Sequence, residues 1–147
     1  MTLAALSGET LAQCIQQSAP GAVVRWDDVA VWVEPSALAS VGAALRDDPD
    51  LDFRFLNAVS AIDFVEHFEL VYHLTSFAKL HTGVVRSRIY GREEPVAASV
   101  VGVWKGADFQ EREIWDLMGV RFSGHPNMKR IMLWEGFDGH PLRKDFL

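Results

Sequence analysis

Phe68-Glu69-Leu70-Val71-Tyr72-His73-Leu74-Thr75-Ser76 is the stretch that sets the fold class. Phe68, Leu70, Tyr72 and Leu74 fall on one side of an extended chain. Glu69, Val71 and His73 fall on the other, the period of two that marks a β-strand. Val84–Tyr90 repeats the pattern, with Val85, Ser87 and Ile89 alternating with Val84, Arg86 and Arg88. The intervening Phe77–Gly83 suits a hairpin loop. Such alternation implies a sheet with one face buried and one partly wet.

Working outward toward the amino terminus, Leu51–Ala58 is apolar, aromatic and partly alternating, and reads as a further strand. Asp47-Asp48-Pro49-Asp50 before it is a turn. Pro35 suits the first turn of a helix, and Leu38, Val41, Ala44 and Leu45 recur at helical spacing as far as Arg46. Ala22–Trp26 and Val29–Val33 are short β-rich runs separated by Asp27-Asp28, a hairpin pattern. Residues 7–17 read as a helix, with Ser7 as its N-cap and Leu11, Cys14 and Ile15 on one face.

Toward the carboxy terminus, Gly91–Pro95 closes the strand region, and Ala97–Trp104 reads as a helical turn. Asp108 then fits an N-cap with Glu111 at the capping-box position, and Gly119 fits the helix end. Ile114, Leu117 and Met118 share a face that Trp115 widens. Arg112 and Asp116, four apart, suit an ion pair. Glu111-Arg112-Glu113 invites an acid/base reading. Carboxylates near a helix start are favoured by its dipole, however, and no third group completes a catalytic set, so a structural or interface role is preferred.

Past Gly119 the composition changes. Phe122, Met128, Ile131, Met132, Leu133, Trp134, Phe137, Leu142, Phe146 and Leu147 are interleaved with Gly124, Pro126, Gly136, Gly139 and Pro141. So many chain-breakers preclude a long regular element, and so many large side chains need a surface to lie on. These are also residue types enriched at interface cores. Gly-His-Pro occurs at 124–126 and 139–141. The separation of His125 and His140 matches no local metal-ligand spacing, so a Gly-X-Pro turn with a hydrogen-bonded imidazole is the preferred reading over a metal site.

The 147 residues suit one domain. The fold expected is α+β: a single domain over 1–120, with an antiparallel or mixed sheet flanked by helices, followed by an extended docking tail over 121–147. Net charge is −6, which disfavours non-specific nucleic-acid binding. Residues 1–120 hold 9 Lys/Arg against 17 Asp/Glu, and residues 121–147 hold 5 against 3. A mildly basic tail thus follows an acidic body. Attraction between the two and attraction of the tail to an acidic partner both fit. Cys14 is the lone cysteine, so neither an internal disulfide nor a cysteine-ligated iron–sulfur cluster is expected. No apolar run is long enough to span a membrane, and no signal peptide is expected. A reducing cytoplasmic setting is the default that follows.

The long run Glu111-Arg112-Glu113-Ile114-Trp115-Asp116-Leu117-Met118-Gly119-Val120, then Gly124-His125-Pro126, Lys129-Arg130-Ile131-Met132-Leu133 and Gly139-His140-Pro141-Leu142-Arg143-Lys144-Asp145-Phe146, resembles the signature of the C subunit of NADH-quinone oxidoreductase, respiratory complex I. Trp104–Gln110 is also similar to the J subunit of the related cyanobacterial and chloroplast complex. The resemblance implies a protein with no flavin, iron–sulfur cluster, quinone or metal of its own. It implies a place in the peripheral arm on the cytoplasmic side of the cell membrane, beside the D subunit and the cluster-bearing B and I subunits. The residues expected to dock those partners are Glu111, Arg112, Glu113, Trp115, Phe122, His125, Arg130, Ile131, His140, Leu142, Arg143, Lys144 and Phe146. Two other readings remain open. One is a homologous scaffold in a ferredoxin-dependent complex or membrane-bound nickel–iron hydrogenase. The other is a small soluble hydrolase using His125 or His140.

Overall fold

A computed structural model describes residues 2–134 and 136–146. Leu147, counted above among the apolar side chains of the tail, lies outside the described residues.

Helix α1 (Gly8–Ser18) starts where Ser7 takes an extended conformation and its side chain accepts the Thr10 N–H, the ordinary N-cap arrangement. Leu11, Ala12 and Ile15 are its buried stripe. Strands β2 (Val23–Trp26) and β3 (Ala30–Val33) form the expected antiparallel hairpin. Its turn is closed by Asp27, whose carboxylate accepts the N–H groups of Val29 and Ala30 at 2.8 Å each. A 3-10 turn at Pro35–Ala37 leads into α2 (Leu38–Asp47), which buries Leu38, Val41 and Leu45.

The central strands are β4 (Phe55–Asp63), β5 (Phe68–Ser76) and β6 (His81–Ile89). With β1 (Ala4–Ala5) they make a six-stranded mixed sheet whose main order is β2-β3-β6-β5-β4. β1 and β3 lie end to end along β6, both parallel to it, whereas β5 is antiparallel to β4 and β6. β5 has the bounds its alternation implies. β4 does not: Leu51 and Phe53 are buried in an irregular segment, where Asp52 has φ 47°, and the strand begins only at Phe55.

Phe68, Leu70, Tyr72 and Leu74 join the helices in one core, together with Val31, Val33, Val85 and Ile89. Their alternates on the same strands do not. The helices therefore cover one face of the sheet and leave the other open.

Residues 96–98, of which 97 and 98 fall in the expected helical turn, are instead strand β7 (Val96–Ala98), paired in parallel with β8 (Arg121–Ser123). Regular structure thus reaches Ser123, and the first residues of the expected tail belong to this small sheet. Between the two strands runs α3 (Ala107–Met118). Its start is not the capping box expected at Asp108: Gly106 precedes the helix and no side chain caps it. Glu111 is drawn inward instead, because Ser99 and Val100 offer it donors beneath the helix. Gly119 ends the helix in the left-handed region at φ 78°, as a glycine there allows. Among the described residues, no helix is long and apolar enough to cross a membrane.

Candidate partner-docking site

The site is built on the last turns of α3. Asp116 lies there with 0 % exposure. Its Oδ2 accepts three consecutive tail N–H groups: Ile131 at 3.2 Å, Met132 at 2.7 Å and Leu133 at 2.9 Å. Its Oδ1 accepts from Arg130 Nη1 at 2.9 Å. Successive N–H groups wrapped round one carboxylate form an anion nest. Burial alone would raise the Asp116 pKa. The three N–H groups and Arg130 outweigh that and hold it below the usual carboxylate value.

The rest of the tail is threaded along the same helix end. Arg130 Nη2 donates to Gly139 O at 2.8 Å, and Arg112 Nε donates to Lys129 O at 3.0 Å. His140 Nδ1 lies 2.9 Å from the carbonyl oxygen of Asp116. A carbonyl only accepts, so Nδ1 carries the proton. The His140 ring packs on Trp115 at 4.8 Å and lies close to Gly119, where an added Cβ would meet it at 2.8 Å. The backbone N–H of Leu142 donates to Leu117 O at 2.8 Å.

A second fastening holds the far end. Asp63, at the end of β4, accepts both terminal nitrogens of Arg92 at 2.6 and 2.8 Å and the N–H of Lys144 at 2.9 Å. The Arg92 guanidinium holds the Asp63 carboxyl well below its usual range. Asp145 bridges Arg92 and Arg143, chiefly the latter, and its pKa is lowered to about 2. Both guanidinium groups lie over the Phe68 ring, at 4.7 and 5.1 Å.

Backbone and charged groups of the tail thus face its own domain, while Met132, Trp134 and Leu142, 59–68 % exposed, face outward. Ile131 and Phe146 are also exposed. Trp134, Phe137 and Phe146 form an aromatic row with spacings of 5.0 and 6.2 Å.

Of the residues expected to dock a partner, Arg112, Trp115, Arg130, Ile131, His140, Leu142, Arg143, Lys144 and Phe146 gather here. Phe122 is instead 2 % exposed, within the core. Glu111 is likewise internal, accepting Ser99 Oγ at 2.6 Å and Val100 N at 2.9 Å. Its burial raises its pKa, and those two bonds only partly offset the effect. Glu113 is exposed beside a groove of about 260 Å³ that it lines with Val59, Gln110, Leu117 and Leu142. His125 accepts Asn127 N at 2.9 Å on Nδ1, and its Nε2 lies 3.0 Å from Asp108. The Arg112–Asp116 pair does not form, since each has a partner in the tail.

Asp63 and Arg92 are fasteners absent from the sequence expectations, which pair Asp116 with Arg112 and not with the tail. Asp116 carries a signal: a carboxylate in the last turn of a helix opposes its dipole and requires compensating donors. Asp63 and Arg92 carry none, being far from the tail in sequence.

The family described as the 30 kDa subunit of respiratory-chain NADH dehydrogenase matches residues 31–147. The chain belongs to this family. It is 39 % identical over 153 residues to the NADH-quinone oxidoreductase C subunit of Roseiflexus sp. (strain RS-1), covering 96 % of this chain and 84 % of that one. It is 38 % identical over 143 residues to the same subunit of Azorhizobium caulinodans (strain ATCC 43989), covering 92 % and 67 %. Among solved structures, a chain of the membrane-bound sulfane sulfur reductase, an archaeal respiratory membrane complex, matches with a TM-score of 0.69 and 26 % identity over 95 % of this chain and 85 % of that one. The family resemblance seen in residues 104–146 is therefore confirmed, and these relatives are subunits of respiratory enzyme complexes.

Proposed function

We propose that the chain is a core subunit of the peripheral arm of a proton-translocating NADH-quinone oxidoreductase. In this reading it is a non-catalytic scaffold that holds redox subunits in register. Electrons pass from NADH through flavin and iron–sulfur clusters to quinone on neighbouring chains, and this chain carries none of those groups. The partners are the D, B and I type subunits, and the complex holds the chain at the cytoplasmic side of the cell membrane. The docking tail is the part of residues 121–147 that follows strand β8, from Gly124 onward.

The observation that carries the reading is the nest around Asp116. It fixes the tail backbone against α3 before any partner arrives, and so leaves Met132, Trp134 and Leu142 displayed. A preorganised apolar surface lowers the entropy cost of association. His125 closes its own turn and His140 ties the tail to α3, so each imidazole has a structural use without any hydrolytic role.

The test is mass spectrometry of proteins recovered with the tagged chain from gently solubilised membranes. Recovery of flavin-, cluster- and quinone-site subunits supports the reading, and a chain recovered alone refutes it. A second reading draws on the match to the sulfane sulfur reductase: the same scaffold serving a respiratory membrane complex with a redox reaction other than NADH oxidation. NADH oxidation by the recovered complex separates the two.

A further inference from the structure

The helix-free face of the sheet carries a cluster unrelated to the tail. One row across it runs Arg25, Trp32, Arg86, Val71 and Ser60, on β2, β3, β6, β5 and β4 in turn. The next row pairs Arg88 with Glu69. Three guanidinium groups surround the Trp32 ring: Arg25 at 4.3 Å, Arg86 at 5.7 Å and Arg88 at 5.9 Å. Their stems cover Trp32 so well that it is 7 % exposed on a face with no helix over it.

The carboxylates near this cluster are largely engaged. Glu69 is 2 % exposed and accepts from Arg86, from Arg88 at 3.0 Å and from Trp32 Nε1 at 3.3 Å. Asp27 closes the β2–β3 turn with two N–H bonds. Arg25 has no carboxylate within ion-pair distance among the described residues. It lies over the indole, and Asp27, whose charge it favours from nearby, spends its carboxylate on the turn N–H groups. Beside it lies a groove of about 130 Å³ lined by Val24, Arg25, Trp32, Glu34, Arg88 and Tyr90. Among the described residues, Glu34 is the only acid on that lining.

We infer that this face is a second docking surface and that its occupant is an acidic stretch of a neighbouring polypeptide, a carboxylate of which pairs with Arg25 beside Arg88. A guanidinium stacked on an aromatic ring presents its fork to a carboxylate with little further loss of freedom. A nucleic acid fits poorly: the whole chain carries −6, and the indole is already covered, leaving no platform for a base. A second copy of this chain has an exposed acidic pair in Glu93-Glu94, outside every ion pair among the described residues, but its longest acidic turn is not available. Asp47 pairs with Arg46, Asp48 binds Cys14 and two turn N–H groups, and Asp52 pairs with Arg54, so its acidic turn is largely satisfied internally.

The test places the photo-crosslinking residue p-benzoylphenylalanine at Val24, which is 57 % exposed in the groove, in the full chain within native membranes. A second preparation carries it at Leu142 in the tail. The expected result is a crosslink from position 24 to another subunit, at a segment with at least two Asp or Glu, whose yield falls about tenfold when R25E is added. A crosslink to a second copy, to nucleic acid, or to a segment without acidic residues overturns the inference. Silence at position 24 with crosslinks at position 142 overturns it while sparing the tail. Silence at both removes both.

Discussion

Asp116 is a carboxylate in the wrong place for an isolated helix and the right place for a tail. Removing its charge loosens four donors at once. D116A is expected to destabilise the isolated chain by about 1–3 kcal/mol, the cost of leaving buried donors unpaired, read as a lowered denaturant midpoint. The folded pKa of Asp116 lies below the unfolded one. Its contribution is therefore complete above about 3.9, the unfolded value, and is lost as pH falls through the folded pKa. The stability gap between wild type and D116A should accordingly close in acid. Glu111 has the opposite sign: its folded pKa is raised by burial. Its penalty is absent in acid and grows as pH rises from the ordinary carboxylate value toward the folded one. E111Q is expected to gain on wild type as pH rises, while E111A loses about 1–3 kcal/mol by orphaning Ser99 and Val100.

The elements differ in how much of them the sequence displays. β5 is legible in full because its alternation is local and both neighbours enforce the register. The wet face inferred for it is only partly right, because Val71 and Glu69 are sealed under the arginine side chains of β6. The sequence places β4 several residues early because Leu51 and Phe53 are apolar for packing, not for strand pairing. α3 is legible, but its capping box is not real: Glu111 has a buried Ser99 to answer, which no local pattern reveals. The tail partners Asp63 and Arg92 are a long-range pairing and leave no local trace. At the α3 terminus, G119A should be costly. A side chain there meets both a left-handed backbone and the His140 ring at 2.8 Å. A loss of about 1–3 kcal/mol is expected. Faster proteolysis within 124–146 should accompany it, since His140 no longer seats against the helix.

For the molecule as a whole, the claim is a division of labour. Buried carboxylates and arginines hold the tail on its own domain, and the apolar side chains left outside belong to a neighbour. Met132, Trp134 and Leu142 are exposed in the lone chain, so replacing all three with Asp should lower its melting temperature by only a few degrees, chiefly through the lost Trp134–Phe137 ring contact. Their loss should be felt only where a partner buries them. The direct measurement is the amount of each partner subunit recovered with the tagged chain from gently solubilised membranes, wild type against that triple variant. The expected result is a stoichiometric set with wild type and little or none with the variant, while both isolated chains remain folded. Equal recovery from both, or a wild-type chain recovered alone, would contradict the account.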